Sequence, residues 1–596
     1  MNGSVVASLF FAVACLVAIT ALYFVRKSSQ RLSGLSWVTT SLISLTCWHA
    51  LVAVALVCVR LPVNIVSLGV ADVAAGGALW WATWRRKDHQ EYIWSPIDAA
   101  VVAALGLFTT GYFALRTNGA HFAINYASTD PANLLFEALN VVKNQVVEGM
   151  FYQALTNGLL IEAVGPLTTP DYYYKVFVFS DGLFLFIAGL AFFAVIRRHL
   201  TTRLTRMIGF GAMFVYLCGY PLNSTLWGFV WLGMGVTLIA HVAFLADSMT
   251  HDDVPKWQSA ALLMLGSLGL IICYAMFAPV VFLGLGVVVV AKYRTRHLVS
   301  TEAVLVGFAV FLVPVVVGLV FMLGGVFGDG TTISSAISSD GASYRDLFSD
   351  FVPFAPVAVF GAYTMHKARQ LTLPQVMLPI SLVFVIVLFG LGMAGKVSAY
   401  YFFKSYNLLW FVVLYLAVMG VARLATREAA LLLGLYGTVW ALVLVVALSG
   451  VEQTINSRNE GFDPLPPGTT KSAELNAIFA WNLTEMSKQN GPGADQLALY
   501  HYVFNNCRQG DARTPLVGHW ADVLWYQAIT GQHDPAWNFV TYADPNWVLN
   551  MVRLSGSKCV AVLTDQQSVP YLANRPYFDS LPRVFVNDAG FVATPR

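Results

Sequence analysis

The sequence predicts an all-α polytopic membrane domain of about 12–14 transmembrane helices, followed by a small C-terminal extracytoplasmic α/β domain. Three observations predict it. The 596-residue chain is 57% hydrophobic and only 11% charged, with a mean hydropathy of +0.65; soluble domains carry about twice that charge density. Fourteen apolar segments approach the roughly 20 residues that a bilayer-crossing helix needs. The charge is also unevenly placed, because residues 451–596 hold 13 of the 32 acidic and 10 of the 35 basic residues. We therefore divide the chain into a membrane domain (1–450), a linker (451–470) containing Gly461-Phe462-Asp463-Pro464-Leu465-Pro466-Pro467-Gly468, and a water-facing domain (471–596). The 40 Phe, 25 Tyr and 16 Trp exclude disorder, and 7 Cys are too few for a disulfide scaffold. A net charge of +3 without a Lys/Arg tract excludes nucleic acid as a partner.

The first four segments are 5–25, 37–59, 63–84 and 97–115. No basic region precedes the first and no small-residue cleavage site follows it, so it reads as a retained span. A long loop, 116–175, comes next. In it Ser128-Thr129-Asp130-Pro131 starts a helix whose apolar stripe runs Leu134, Leu135, Ala138, Leu139, Val142, Val146 and Met150, with Glu137, Lys143, Asn144 and Glu148 opposite. An amphipathic helix of this kind is expected to lie along the membrane interface. A second apolar stretch, Phe151 to Val164, follows, and Tyr172-Tyr173-Tyr174-Lys175 enters the next span as a headgroup-level cluster.

The remaining segments are 176–196, 207–222, 224–246, 258–275, 277–291, 301–326, 352–366, 373–394, 405–422 and 429–449. Those ending near Pro221 and starting near Pro279 are short and read as tilted pairs or re-entrant hairpins. When the loops are numbered alternately, eighteen basic residues fall on one side and seven on the other, the seven being Arg60, Arg116, Lys143, Lys175, Arg345, Lys396 and Lys404. The positive-inside rule then puts the N-terminus and the C-terminal domain outside a plasma membrane.

Cys15, Cys47, Cys58, Cys218 and Cys273 lie in apolar segments and read as core fillers. Cys507 and Cys559 fall in the outer domain, where a disulfide and two free thiols both fit. His49 and Asp72 sit near the middles of neighbouring spans, as a proton relay or, by preference, a structural hydrogen-bonded pair. In the tail we expect a helix over 471–489, a strand over 559–564 and a hairpin around Asn587-Asp588-Ala589-Gly590. Trp520, Trp525, Trp537 and Trp547 make either a glycan platform or a small core, and His501, His519 and His533 are too scattered to be ligands. The domain is assigned to acceptor binding or structural cover. Asn2, Asn223 and Asn482 are glycosylation sequons.

Two outer groups carry chemistry. Tyr400, Tyr401 and Lys404 share a helix face, where they can hold a lipid phosphate or anchor the helix at the interface. Asp130 is either a helix cap or a functional acid at the first turn of an outer loop.

The piece Asn125-Tyr126-Ala127-Ser128-Thr129-Asp130-Pro131 with its following helix, together with Tyr400-Tyr401-x-x-Lys404, resembles the GT-C superfamily of membrane glycosyltransferases. The layout is also similar to that of actinobacterial cell-wall arabinofuranosyltransferases. The resemblance implies transfer of a sugar from a polyprenyl-phosphate donor to a cell-envelope glycan acceptor, with inversion. Asp130 would be the general base, and Lys404, Tyr401, Tyr400 and Arg345 would hold the donor phosphate. Asp340 and Glu137 are candidate second acids or metal ligands; no metal or other cofactor is demanded, since Lys and Arg can neutralise one phosphate. Two departures stand out. The acidic loop follows the fourth span rather than the first, so residues 1–90 read as a three-span extension, and Asp130 has no adjacent acid. The alternatives are a lipid or glycan flippase or other multi-pass transporter built around Asp72 and His49, a scaffold without catalysis, and a lipid-diphosphate ligase or polymerase.

Overall fold

The computed structural model describes residues 3–25, 33–84, 94–117, 130–145, 151–164, 170–250, 256–295, 314–316, 350–394, 396–397 and 399–424, with short pieces between 452 and 587. The helices are α1 (Gly3–Val25), α2 (Gly34–Cys58), α3 (Ile65–Trp84), α4 (Pro96–Arg116), α5 (Asp130–Asn144), α6 (Phe151–Val164), α7 (Pro170–Arg197) and α8 (Arg203–Cys218). They continue with α9 (Tyr220–Leu226), α10 (Val230–Thr250), α11 (Lys256–Tyr274), α12 (Ala278–Thr295), α13 (Ala355–Lys367), α14 (Leu373–Met393) and α15 (Ala399–Leu424). Among the described residues eight helices are long and apolar enough to cross a membrane. The chain is a multi-pass helical protein. Of the expected spans, 429–449 and all of 301–326 except 314–316 lie outside the described residues.

Ion pairs at the helix ends set the directions. Asp98, buried in the first turn of α4, closes a capping box with Ser95 and also takes a bidentate pair from Arg197 at the end of α7, at 2.6 and 2.8 Å. At the other end of α4 the Tyr174 hydroxyl, near the start of α7, donates to the Arg116 carbonyl at 3.2 Å. α4 and α7 are therefore antiparallel. Arg198 pairs with Asp247 at 3.2 Å and donates to Ser248, joining the ends of α7 and α10. One end of the bundle thus gathers Arg197, Arg198, Arg206 and Arg423, while the opposite end carries the starts of α7, α10 and α15.

α5 and α6 lie at that second end. Gln145, in left-handed backbone (φ 56°), stops α5 at Asn144, and its carbonyl accepts from the Val63 N–H at 2.8 Å. This corrects the expected helix through Met150. Val146 to Met150 lie outside the described residues. The Glu162 carboxylate on α6 accepts from the Ile65 N–H, and the Ser8 hydroxyl donates to the Ala163 carbonyl, so α6 ties down the starts of α1 and α3. The apolar stripe of α5 (Leu134, Leu135, Ala138, Leu139) is buried with Tyr174, Tyr500, Trp525 and Tyr526. A face expected to lie along the membrane interface is instead covered by protein. Tyr174 and Trp525 meet edge to face at 6.0 Å, both fully buried, so neither a headgroup tyrosine nor a glycan platform describes them.

Small residues let backbones touch. Gly69 and Gly76, two turns apart on α3, face Phe10 and Val17 of α1. A Cβ on Gly361 of α13 would strike the Leu416 carbonyl of α15, and one on Gly420 would strike the Val357 carbonyl. The short segments before Pro221 and around Pro279 are breaks. α8 stops at Gly219, and α11 gives way to a 3-10 turn, Ala275–Phe277. α11 then packs on α10 and α2, whereas α12 packs on α14.

In the tail, Glu452–Gln453 (β1) pairs antiparallel with Ala473–Glu474 (β2), so the helix expected from 471 begins later, with helical backbone at 478–479 and 482. Extended pairing at 473–474 leaves those residues no helical hydrogen bonds. Leu516–Val517 (β3), Cys559–Leu563 (β4) and Arg583–Asn587 (β5) form a parallel sheet in the order β3-β4-β5. The strand expected from Cys559 is present. Arg583 begins a strand parallel to it, and the second arm of the expected hairpin lies outside the described residues.

Gly361→Ala should lower the melting temperature in detergent, at a cost on the order of 1–3 kcal/mol, because the carbonyl facing it cannot rotate away. Gly106→Ala is the control: its added Cβ meets nothing within 4 Å. Equal melting temperatures for the two variants would contradict the close α13–α15 packing.

Candidate functional site

The site is built where α5, α10 and α15 begin. Asp130 is the first residue of α5, and Pro131 packs against Gly228 in the turn between α9 and α10. Gly228 has φ 79°, and an added Cβ would come within 2.6 Å of the Pro131 ring. Only glycine accepts both the left-handed backbone and the contact. The turn is closed by Gly228 N–H to Thr225 and Phe229 N–H to Ser224 hydrogen bonds. It delivers Phe229 and Trp231 to Lys404, one turn into α15.

Lys404 is only 3% exposed. Its Nζ lies 4.8 Å from the Phe229 ring centre, 4.6 Å from Trp231 and 5.8 Å from Tyr401. An interfacial anchor would extend its ammonium to water; this one is enclosed by aromatic faces, which favour a cation. Burial pushes the half-buried Asp130 carboxyl above the usual carboxylate range, and the nearby Lys404 ammonium pulls it part of the way back. The two residues singled out in distant parts of the sequence share one electrostatic environment.

Beside them is a second set of polar contacts. Asp350 is buried and accepts from the Tyr220 hydroxyl and the Ile478 N–H, both at 2.7 Å. Tyr220 packs with Phe351, Tyr406 and Trp410. The break at Gly219 leaves helix-end carbonyls short of intrahelical partners; the Asn482 amide donates to that of Cys218 at 2.6 Å and, at 2.9 Å, to that of Gly219, which also accepts from the Asn223 N–H of α9. Asn223 donates in turn to Asn482 at 2.9 Å. The tail is thereby pinned to the break. Both asparagines are sequons whose side chains are buried in this contact, which leaves no room for a glycan in the folded protein.

The other expected residues lie either outside the described residues or apart from this pair. Tyr400 is in α15, but its side chain is outside the described set, as are Arg345 and Asp340 entirely. Glu137 lies two turns farther along α5 than Asp130, about 10 Å by the helix rise. Cys58 is exposed at the end of α2, and Cys15 contacts Asp72; neither is a plain core filler. Cys507 is outside the described residues.

Sequence reading missed the burial of Arg116, 1% exposed and stacked 5.6 Å over Tyr112. An arginine at a helix end ordinarily reaches water, so nothing local marked it. Asp181 on α7 is fully buried beside Ser180, which hydrogen-bonds Asn157 of α6. An acid inside an apolar run was the available signal.

Because the folded state holds the Asp130 proton more tightly than the unfolded chain, stability should fall as pH rises from the ordinary 3.8 through the raised value. Asp130→Asn lacks this slope. Thermal unfolding of both proteins in detergent across the acid range should show the difference shifting in favour of the variant as pH rises, and a pH-independent difference would contradict the burial of the carboxyl.

No protein-family model matches the chain, and no curated protein matches it either.

Proposed function

We propose that the chain is a GT-C-like inverting glycosyltransferase, moving a sugar from a polyprenyl-phosphate donor to a cell-envelope glycan or other acceptor at the outer face of a plasma membrane. The observation that carries the reading is the shared environment of Asp130 and Lys404 at one end of the bundle, beside an aromatic wall of Phe229, Trp231 and Tyr401. In this reading Asp130 accepts the proton of the acceptor hydroxyl as that oxygen attacks the anomeric carbon. The carbon–oxygen bond to the lipid phosphate breaks on the opposite side. A carboxyl raised toward neutrality is a better base than an ordinary one. Lys404, with Tyr401 and Tyr400, stabilises the charge on the departing phosphate, and its aromatic surroundings exclude the water that would screen it. Arg345 completes the cationic set.

The same reading places the N-terminus and the tail outside, which agrees with the basic residues gathered at the end opposite Asp130. It treats α1–α3 as an added three-helix unit. It makes the tail an outer α/β domain, held to the α8–α9 break through Asn482, that covers the site or binds acceptor.

Asp130→Asn in native membranes should lower transfer from a labelled polyprenyl-phosphate sugar by about 10²–10⁴-fold, with expression and thermal stability retained. Lys404→Gln should also slow transfer, with a larger loss for donors whose phosphate leaves poorly. Transfer undiminished in Asp130→Asn would remove the proposed base and with it this mechanism.

A further inference from the structure

Away from this site, α1, α2 and α3 bring together three side chains that the transfer chemistry does not use. The His49 Nε2 lies 2.8 Å from Asp72 Oδ2, and the Cys15 thiol donates to the same oxygen at 3.6 Å. The three ligand-type atoms all lie within 4.8 Å of one another. Asp72 is fully buried and His49 nearly so, while Cys15 is half-buried. Their assembly follows from the packing. Gly69 and Gly76 flank Asp72 on the same stripe of α3, and their missing side chains let α1 close in until Cys15 reaches the carboxylate.

A structural His–Asp pair explains only part of this. Asp72 Oδ1 is buried with no hydrogen-bond partner among the described residues, and a carboxylate oxygen left so inside an apolar bundle is costly. The Asp72 carboxylate, the imidazole and the thiol converge from three different helices, the last two on Oδ2.

We propose that Cys15, His49 and Asp72 form a binding site for a divalent cation of zinc-like, borderline-soft character. Sulfur, imidazole nitrogen and carboxylate together suit zinc or cobalt and disfavour magnesium and calcium, which take oxygen ligands. Metal bonds of about 2.0 Å to nitrogen and oxygen and 2.3 Å to sulfur, at tetrahedral angles, set sulfur and oxygen about 3.5 Å apart. The observed 3.6 Å already matches; the His–Asp contact has to open by about half an ångström, and the Cys15 and His49 ligand atoms, now within 4.8 Å of one another, have to settle at about the same sulfur–nitrogen spacing of about 3.5 Å. Binding releases the Cys15 thiol proton to solvent. With His49 neutral, thiolate, carboxylate and dication leave no net charge in the apolar interior. Bound metal staples α1, whose other face exposes Leu9, Val13 and Leu16, to α2 and α3.

The test uses the full-length protein in detergent, stripped of metal and titrated with cobalt(II). Expected are uptake of one ion per chain, a near-ultraviolet thiolate-to-cobalt band with the visible spectrum of a tetrahedral site, loss of both on adding zinc, and a raised melting temperature when loaded. Cys15→Ser should abolish the thiolate band. Asp72→Asn, which keeps the size and a hydrogen bond to His49, should weaken binding on the order of tenfold or more. Absence of stoichiometric uptake overturns the proposal. So does a charge-transfer band that survives Cys15→Ser, which would place the ion on another thiol.

Discussion

A charge inside an apolar bundle has to be neutralised close by, and the architecture is organised around that requirement. Asp98 meets Arg197, Asp247 meets Arg198, Asp72 meets His49, and Asp130 shares its surroundings with Lys404. Every one of these relations joins different helices. Burial makes each partner expensive alone, so the pairs act as registry pins that fix which helices neighbour each other and which ends coincide. The first two pins lie at the basic end. Asp130, half-buried, and Lys404, buried among aromatic walls, lie at the other, where the same electrostatics can be turned to chemistry.

Backbone irregularity is the second organising feature. Gly219 and Pro221 break α8 from α9, Gly228 turns the chain into α10, and a 3-10 turn separates α11 from α12. Inside a bilayer-spanning domain, broken helices persist only where other groups satisfy the freed carbonyls. Here Asn482 does so, supplied from a segment far along the chain. The turn at Gly228 positions Phe229 and Trp231 near Lys404, and the break at Gly219, one short helix earlier, is the attachment point of the tail. This links the shape of the candidate site to the docking of residues 478–482.

Much of the fold was readable because hydrophobicity, length and breakers act locally. α6 has the expected limits, α5 starts at Asp130, and the short segments at Pro221 and Pro279 correspond to breaks. Readings that depended on surroundings fared differently. Tyr174 and Trp525 have interfacial character as residue types, yet they bury each other. Lys404 reads from sequence first as an interfacial anchor and second as a phosphate ligand, and its aromatic enclosure by the α9–α10 turn is a relation that no local pattern carries. Arg116 and Asp350 carried no local mark of their burial at all. The extent of α5 was overestimated because its apolar stripe continues past Gln145, where a left-handed residue, bonded to Val63, ends the helix.

By itself, the sequence determined that this is a multi-pass helical protein with a differently composed tail. It also picked out Asp130, Lys404, His49 and Asp72 as residues out of keeping with their apolar surroundings. These follow from composition and periodicity, which belong to single segments. Tertiary structure decided that Asp130 and Lys404 lie near one another, that Cys15 joins His49 and Asp72, and that the tail caps a helix break. Those are relations between helices, set by which small residues allow backbones to touch and which buried charges need partners. No segment carries that information alone.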